Sequence, residues 1–184
     1  MTRIPAGTEV PFTITYLEMT RRPEFERPQL DGDIRLERAI DPPVWYFLSL
    51  YDGVGREYEW QDRFDQAEDD PAALQAFVRH PDVVIWTAIR NGWPAGFFML
   101  DWREAGVCDL AYFGLVPQAV GAGLGRKLLQ IAILTGWERE GVEKMTVNTC
   151  TLDHPSALPL YHKMGFEPAE REERTRVLVY DREA

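Results

Sequence analysis

The chain has 184 residues, 45% of them hydrophobic and 27% charged, with a formal net charge of −10 at pH 7. That length suits one domain, residues 1–184, with a real core, and the acidic balance excludes a general nucleic-acid binder, which needs excess basic surface. No apolar run approaches a membrane span and no signal-like core follows Arg3, so a cytoplasmic protein with no membrane partner is expected.

Residues Pro11 to Thr20 alternate Phe12, Ile14 and Tyr16 against Thr13, Thr15 and Leu17, which predicts a first strand. Arg21 to Asp33, with Pro23, Pro28 and Gly32, reads as a loop. Asp41-Pro42-Pro43 has the form of a helix start, a carboxylate cap followed by proline in the first turn, and Val44 to Tyr51 supplies the helix. Arg56 to Gln66 predicts a second short helix and Asp70-Pro71 starts a third that ends near His80.

Val83 to Arg90 and Ala95 to Trp102 are strands joined at the hairpin signal Asn91-Gly92. Val107 to Val116 is the next strand, and Gly114 near its end marks a bulge or splay. A helix follows from Gly123 to about Glu140, with Leu124, Leu128, Ile131, Ala132 and Trp137 on one face and Gly141 closing it. Met145 to Cys150 is a strand, Pro155 to Met164 a helix ended by Gly165, and Thr175 to Tyr180 the last strand. The charged run Glu170 to Arg174 reads as a solvated connection. This order of elements is that of a mixed α/β fold, not of an all-parallel doubly wound sheet.

The stretch Val116 to Leu129 carries the chemistry. It joins a strand to a helix through three alternating glycines, Gly121, Gly123 and Gly125. The first amides of a helix have no internal partner and sit at the positive end of the helix dipole, so a glycine loop feeding a helix start is a phosphate-binding arrangement. The Rossmann spacing fails, because the sixth position counted from Gly121 is Arg126 and from Gly123 is Leu128; the Gly-Lys-Ser/Thr ending of nucleotide triphosphatases is missing as well. Arg126 and Lys127 give this part of an acidic chain a local positive charge.

What remains resembles the first motif of the Gcn5-related N-acetyltransferase (GNAT) superfamily, Gln/Arg-x-x-Gly-x-Gly/Ala after an apolar strand. Gly123 and Gly125 match its glycines, and Val120 stands where the family has Gln or Arg. A second stretch, Ser156 to Phe166, resembles the motif Asn-x-x-Ala-x-x-Leu-Tyr-x-x-x-Gly-Phe. Ala157, Leu160, Tyr161, Gly165 and Phe166 fall in register, and His154 takes the Asn position. The two motifs are separated by one helix and one strand, as in the family. The resemblance implies a mixed, mostly antiparallel central sheet flanked by helices and splayed at the strand before the glycine loop. It also implies transfer of an acetyl group from acetyl coenzyme A to a primary amine of a small molecule or peptide.

Residue roles follow from the same resemblance. Backbone amides near Leu115 and Val116 would bind the pantetheine arm and stabilise an oxyanion. The loop Gly121, Ala122, Gly123, Leu124, Gly125 and Arg126 would cradle the pyrophosphate. Tyr161 would protonate the departing thiolate, because a phenol is neutral at pH 7 and has a proton to give. Asp109, midway along the preceding strand, and His154 are the candidates for the base that takes the proton of the amine; an ion pair for Asp109 and a helix cap for His154, with Asp153 as partner, are the structural alternatives. Tyr161 can instead pack under the cofactor without transferring a proton.

The net charge of −10 suits a cationic acceptor. Trp45, Tyr46, Tyr58 and Trp60, interspersed with Glu57, Glu59 and Asp62, suit a cation too, although a core stripe beside a solvated acidic face accounts for most of them. His80 and His162 read as surface residues, and Cys108 and Cys150 as free thiols in strands with no metal-ligand spacing, so no metal is expected. Members of the superfamily often pair as homodimers. The second functional possibility is a binding module that keeps the acyl coenzyme A cleft as a sensor without catalysis.

Overall fold

The computed structural model describes residues 3–121 and 123–183. A two-residue strand β1 (Arg3–Ile4) precedes β2 (Glu9–Met19) and β3 (Ile34–Arg38). Three helices follow: α1 (Val44–Gly55), α2 (Asp62–Asp69) and α3 (Pro71–Val78), with a short 3-10 turn, Arg56–Tyr58, after the first. The chain continues through β4 (Val83–Arg90), β5 (Trp93–Asp101), β6 (Val107–Leu115), α4 (Leu124–Trp137), β7 (Lys144–Cys150), α5 (Ala157–Lys163), β8 (Glu167–Val177) and the two-residue β9 (Arg182–Glu183).

Seven strands form one sheet in the order β3-β4-β5-β6-β7-β2-β8, while β1 and β9 pair separately. Short turns join β4 to β5 and β5 to β6, and these neighbours run antiparallel. Helix α4 crosses over between β6 and β7, so that pair is parallel, as a crossover connection requires. The sheet is thus mixed and mostly antiparallel, with helices on both faces.

Each face has its own core. Helices α1 and α3 bring Phe47, Leu50, Tyr51, Leu74 and Phe77 onto Ile85, Phe97 and Met99 of β4 and β5. On the other face Leu124, Leu128, Leu129, Ile131 and Ala132 of α4 meet Phe98, Leu100, Cys108, Met145 and Leu17. The period-two alternation of β5 and β6 is what sends Phe97 and Met99 one way and Phe98 and Leu100 the other.

Three expectations from sequence need correction. Asp41 does not cap α1, whose start has no side-chain cap; its backbone is left-handed at φ 48°, and its carboxylate accepts instead from Arg79 Nε and Nη2 at 2.5 and 2.6 Å. Asp70, by contrast, caps α3 by accepting from the Ala73 amide at 3.0 Å. Glu170 to Arg174 is the middle of β8, not a connection. The bulge in β6 falls opposite Met99 and Leu100, at Ala111, three residues before Gly114. Gly114 serves a different need: a Cβ there would lie 2.3 Å from Val54 Cγ1 of α1, so only glycine lets the helix sit this close.

Strand β2 comes from the N-terminus yet lies between β7 and β8, antiparallel to both. Beyond β8 the chain turns back over the 3-10 turn. There the Glu59 carboxylate, in a residue only 2% exposed, accepts from the Val179 and Tyr180 amides at 2.8 and 3.0 Å. Arg176 donates to the Glu59 carbonyl at 2.5 Å, and Arg182 donates to the Glu57 and Leu152 carbonyls at 3.3 and 2.7 Å. Glu59 is therefore a structural carboxylate and not part of an acidic surface.

Glu59→Ala removes the buried carboxylate that two amides donate to and should cost about 2 kcal/mol, as for hydrogen bonds to a charged acceptor. Urea unfolding measures this directly; an unaltered midpoint would show that the C-terminal segment does not depend on Glu59.

Candidate active site

Strands β6 and β7 pair over only three residues each, Val107 to Asp109 against Lys144 to Thr146. After that they part. Strand β6 bulges at Ala111, while β7 stays paired to β2 as far as Cys150. The Val116 amide donates to the Ala95 carbonyl of β5 at 3.0 Å. Strand alternation then turns the polar groups of Leu115 and Phe113 the other way, toward the edge that β7 has left. Of the two amides expected to face the gap, Leu115 is on the unpaired edge and Val116 is taken by β5. Phe113 is an addition, legible in sequence only through its two-residue spacing from Leu115.

The glycine loop lies just beyond. Gly121 and Gly123 have positive φ, 97° and 77°, and Gly123 is the residue before α4. A Cβ at Gly123 would meet nothing within 4 Å among the described residues outside its chain neighbours, so there is room beside the start of α4. Ala122, expected in the same cradle, lies outside the described residues. Lys127 is engaged by Asp31 at 2.7 Å, and the lysine holds that carboxyl below the usual carboxylate range. Arg126 is exposed and forms no ion pair among the described residues. Open space, unpartnered helix-start amides and a free guanidinium fit a pyrophosphate.

Tyr161 stands on α5, 5% exposed, with its ring edge-on to Phe113 at 6.4 Å and to Phe166 at 5.9 Å. Its hydroxyl has no hydrogen-bond partner among the described residues. Burial, followed by the charges of Asp153 and Asp109, pushes its pKa well above the usual phenol value. The phenol therefore stays protonated at any physiological pH.

Asp109 is the last residue of β6 paired to β7, at the foot of the gap. Thr146 Oγ1 donates to its carboxylate at 2.6 Å. It faces the side of the sheet covered by α1 to α3, since its neighbours Cys108 and Leu110 belong to the core under α4. Burial is the main cause of its raised pKa, and the Thr146 hydrogen bond opposes it. His154 sits before α5, where the Ser156 amide donates to its Nδ1 at 3.1 Å and its ring meets Tyr58 edge-on at 6.2 Å. An accepting Nδ1 leaves the ring proton on Nε2.

Asp153 does not partner His154. Its Oδ2 accepts from Thr149 Oγ1 at 2.7 Å and the Cys150 amide at 2.9 Å, and its Oδ1 accepts from Trp60 Nε1 at 3.1 Å. This contact joins residues 93 positions apart and has no local signal in the sequence. Of the other aromatics, Trp45 is 66% exposed at the start of α1, and Tyr46 is tied to Thr87 at 2.7 Å. Burial pushes the Cys150 thiol up to about 11 and the Cys108 thiol further, so both stay protonated. His80 accepts from the Asp82 amide at 3.1 Å, and His162 Nδ1 lies 3.2 Å from the Phe166 carbonyl.

A shallow cavity of about 370 Å³ opens on the β5 side of the loop, lined by Gly53, Trp93, Val116 and Gln118 among others. None of its lining comes from β7, so it lies beside the gap and not within it. Among the described residues no group of three or more His, Cys, Asp or Glu gathers as a metal would require, and no helix is long and apolar enough to cross a membrane.

Residues 21–166 match the acetyltransferase (GNAT) family. No curated protein matches the chain. Among solved structures, a GCN5-related N-acetyltransferase from Sphaerobacter thermophilus is 17% identical with a TM-score of 0.60, over 95% of this chain and 53% of that one. A tandem GNAT protein from the clavulanic acid biosynthesis pathway is 15% identical with a TM-score of 0.65, over 94% and 55%. An aminoglycoside acetyltransferase from an uncultured soil metagenomic sample is 17% identical with a TM-score of 0.52, over 74% and 90%. At these identities the likeness is one of fold. The chain spans about half the length of the first two.

The raised pKa of Asp109 has a consequence for stability. The folded chain holds this proton to a higher pH than the unfolded chain does, so stability falls as pH rises from the ordinary carboxylate range through the folded pKa. Asp109→Asn keeps an acceptor for Thr146 and removes the titration. The variant should gain on the wild type at pH 7 and lose that advantage as the pH is lowered toward about 4. Denaturant unfolding at several pH values checks this, and a stability difference independent of pH would contradict it.

Proposed function

The chain belongs to the acetyltransferase (GNAT) family, and from that membership we propose that it transfers an acetyl group from acetyl coenzyme A to a primary amine. The observation that carries this reading is the parting of β6 and β7 just before the glycine loop, with Tyr161 packed against Phe113 of the parted strand. A pantetheine arm is an extended chain of amides, and an unpaired strand edge is the complement such a chain needs. Acetyl coenzyme A supplies the activated thioester.

The chain's own residues then do the following. The amides that open α4 and the Arg126 guanidinium hold the pyrophosphate. The Leu115 amide donates to the carbonyl oxygen as negative charge builds on it during attack by the amine. Tyr161 gives its proton to the leaving sulfur. Asp109 takes the proton lost by the amine, through water, on the face of the sheet away from the glycine loop. Burial favours that role, because a raised pKa makes its carboxylate a stronger base. His154 is a poorer base: with Nδ1 accepting from Ser156, its remaining nitrogen already carries a proton and can only donate. We assign it a donor role toward the bound cofactor.

The substrate side is acidic and aromatic, which suits a cationic amine; the aminoglycoside acetyltransferase among the matched structures is named for acceptors of that kind.

Calorimetric titration with acetyl coenzyme A, free coenzyme A and NAD tests the cofactor assignment. Both coenzyme A species should bind and NAD should not. Thiol release in a panel of primary amines then tests transfer; binding with no release from any amine would favour the sensor. Tyr161→Phe should lower turnover by about 10²–10⁴-fold while acetyl coenzyme A affinity is kept. Full turnover in that variant would leave Tyr161 a packing residue. Gly123→Asp puts a negative side chain into the open space before α4 and should abolish cofactor binding by a chain that still folds.

A further inference from the structure

Resting on the coenzyme A reading above, we propose that Trp60 is the wall that restricts the acyl group to the size of acetyl. The gap between β6 and β7 has two sides. Phe113 and Tyr161 line it toward α4. Trp60 closes it toward α1 and α2. Its ring lies 5.5 Å from Tyr112 of β6 and 5.3 Å from Tyr51 of α1, and its Nε1 donates to Asp153 beyond the end of β7. Asp153 is in turn held by Thr149 and the Cys150 amide. One indole thus spans from the strand on one side of the gap to the loop on the other, at the level where the strands have already parted.

The ring has little freedom to move aside. Its β-carbon and ring sit on Gly55, where a Cβ would lie 2.3 Å from the indole. The Trp60 amide donates to the Gly55 carbonyl at 3.1 Å. The preceding residue, Glu59, is left-handed at φ 62° and is anchored by the Val179 and Tyr180 amides. Bond, seat and backbone all fix the same orientation. An acyl chain that enters the gap from the glycine-loop side and extends past its carbonyl carbon runs toward this ring. A methyl group ends before it, and a longer chain has to displace it.

The test is calorimetric and needs no acceptor. Wild type and Trp60→Ala are titrated with free coenzyme A and with its acetyl, butyryl and hexanoyl thioesters. Wild type should bind hexanoyl coenzyme A at least about tenfold more weakly than acetyl coenzyme A, the scale on which a filled pocket rejects extra methylenes. Trp60→Ala should bring the two within about threefold of each other, with free coenzyme A affinity unchanged; Trp60→Leu, which keeps an apolar core side chain, should give the same direction if the alanine variant unfolds. Equal binding of acetyl and hexanoyl thioesters by the wild type overturns the proposal, as does unchanged discrimination in a folded variant. Failure of free coenzyme A to bind the wild type would be a different result: it removes the cofactor reading, and this inference with it.

Discussion

Everything in the site depends on two parallel strands that stay paired for three residues and then separate. A strand edge inside a protein cannot be left bare, because each unpaired amide or carbonyl loses its bond to water and gains nothing. Strand β6 meets this by giving alternate groups to β5, as Val116 does to Ala95, and the polar groups of Phe113 and Leu115 face the edge that β7 has left, where the proposed cofactor would pair with them. The bulge at Ala111 is what frees them: it re-aims the strand as it leaves β7. Gly114 lets α1 close over the other side of the same bend. The glycine loop, the start of α4 and Tyr161 are then arranged around an edge that already wants a partner.

Much of this was legible because its signals are local. A run of glycines between a strand and an amphipathic helix declares itself within fifteen residues, and the stretch from Ala157 to Phe166 carries both its tyrosine and the glycine that ends its helix. Strand β3 went unread because its buried face is only Ile34 and Leu36, too short to impose a pattern, and β8 was read only at its C-terminal end, from Thr175. Strand β8 exposes nearly every side chain, so Glu170 to Arg174 looks like any solvated charge run, and only pairing to β2 makes it a strand. The bulge was displaced by three residues for a related reason. Glycine in a strand announces some close approach, and here the approach is of a helix, not of an extra residue in the ladder. The contact of Trp60 with Asp153 has no sequence signature at all, since neither residue type is unusual at its position.

The matched family region, residues 21–166, contains the gap, the loop and Tyr161 but neither β2 nor β8. The two ends of the chain therefore complete the sheet together, β2 beside β7 and β8 beyond it. The C-terminal segment continues past β8 and fastens the turn between α1 and α2 through Arg176, Arg182 and the two amides that Glu59 holds. That turn carries Tyr58 and Trp60, which reach the loop after β7. Segments outside the shared region thus hold in place the turn whose Trp60 bounds the gap toward α1 and α2. Variation in such segments can change what enters the gap without touching the strands that form it.

The same geometry answers the conflict between an acidic chain and the anionic cofactor proposed for it. The sheet separates two electrostatic environments. On the α4 side the carboxylate of Asp31 is engaged by Lys127, and the helix start offers amides beside Arg126, which forms no ion pair among the described residues. On the α1 to α3 side stand Asp109, at the foot of the gap, and Asp153, at its rim. Neither carboxylate is paired to a cation within salt-bridge distance among the described residues. A phosphate approaching from the first side meets the positive end of a helix, and an ammonium approaching from the second meets uncompensated carboxylates. The net charge of −10 therefore does not oppose the proposed reaction, in which each substrate would meet charge of the opposite sign on its own face, with the gap between β6 and β7 where the two faces meet.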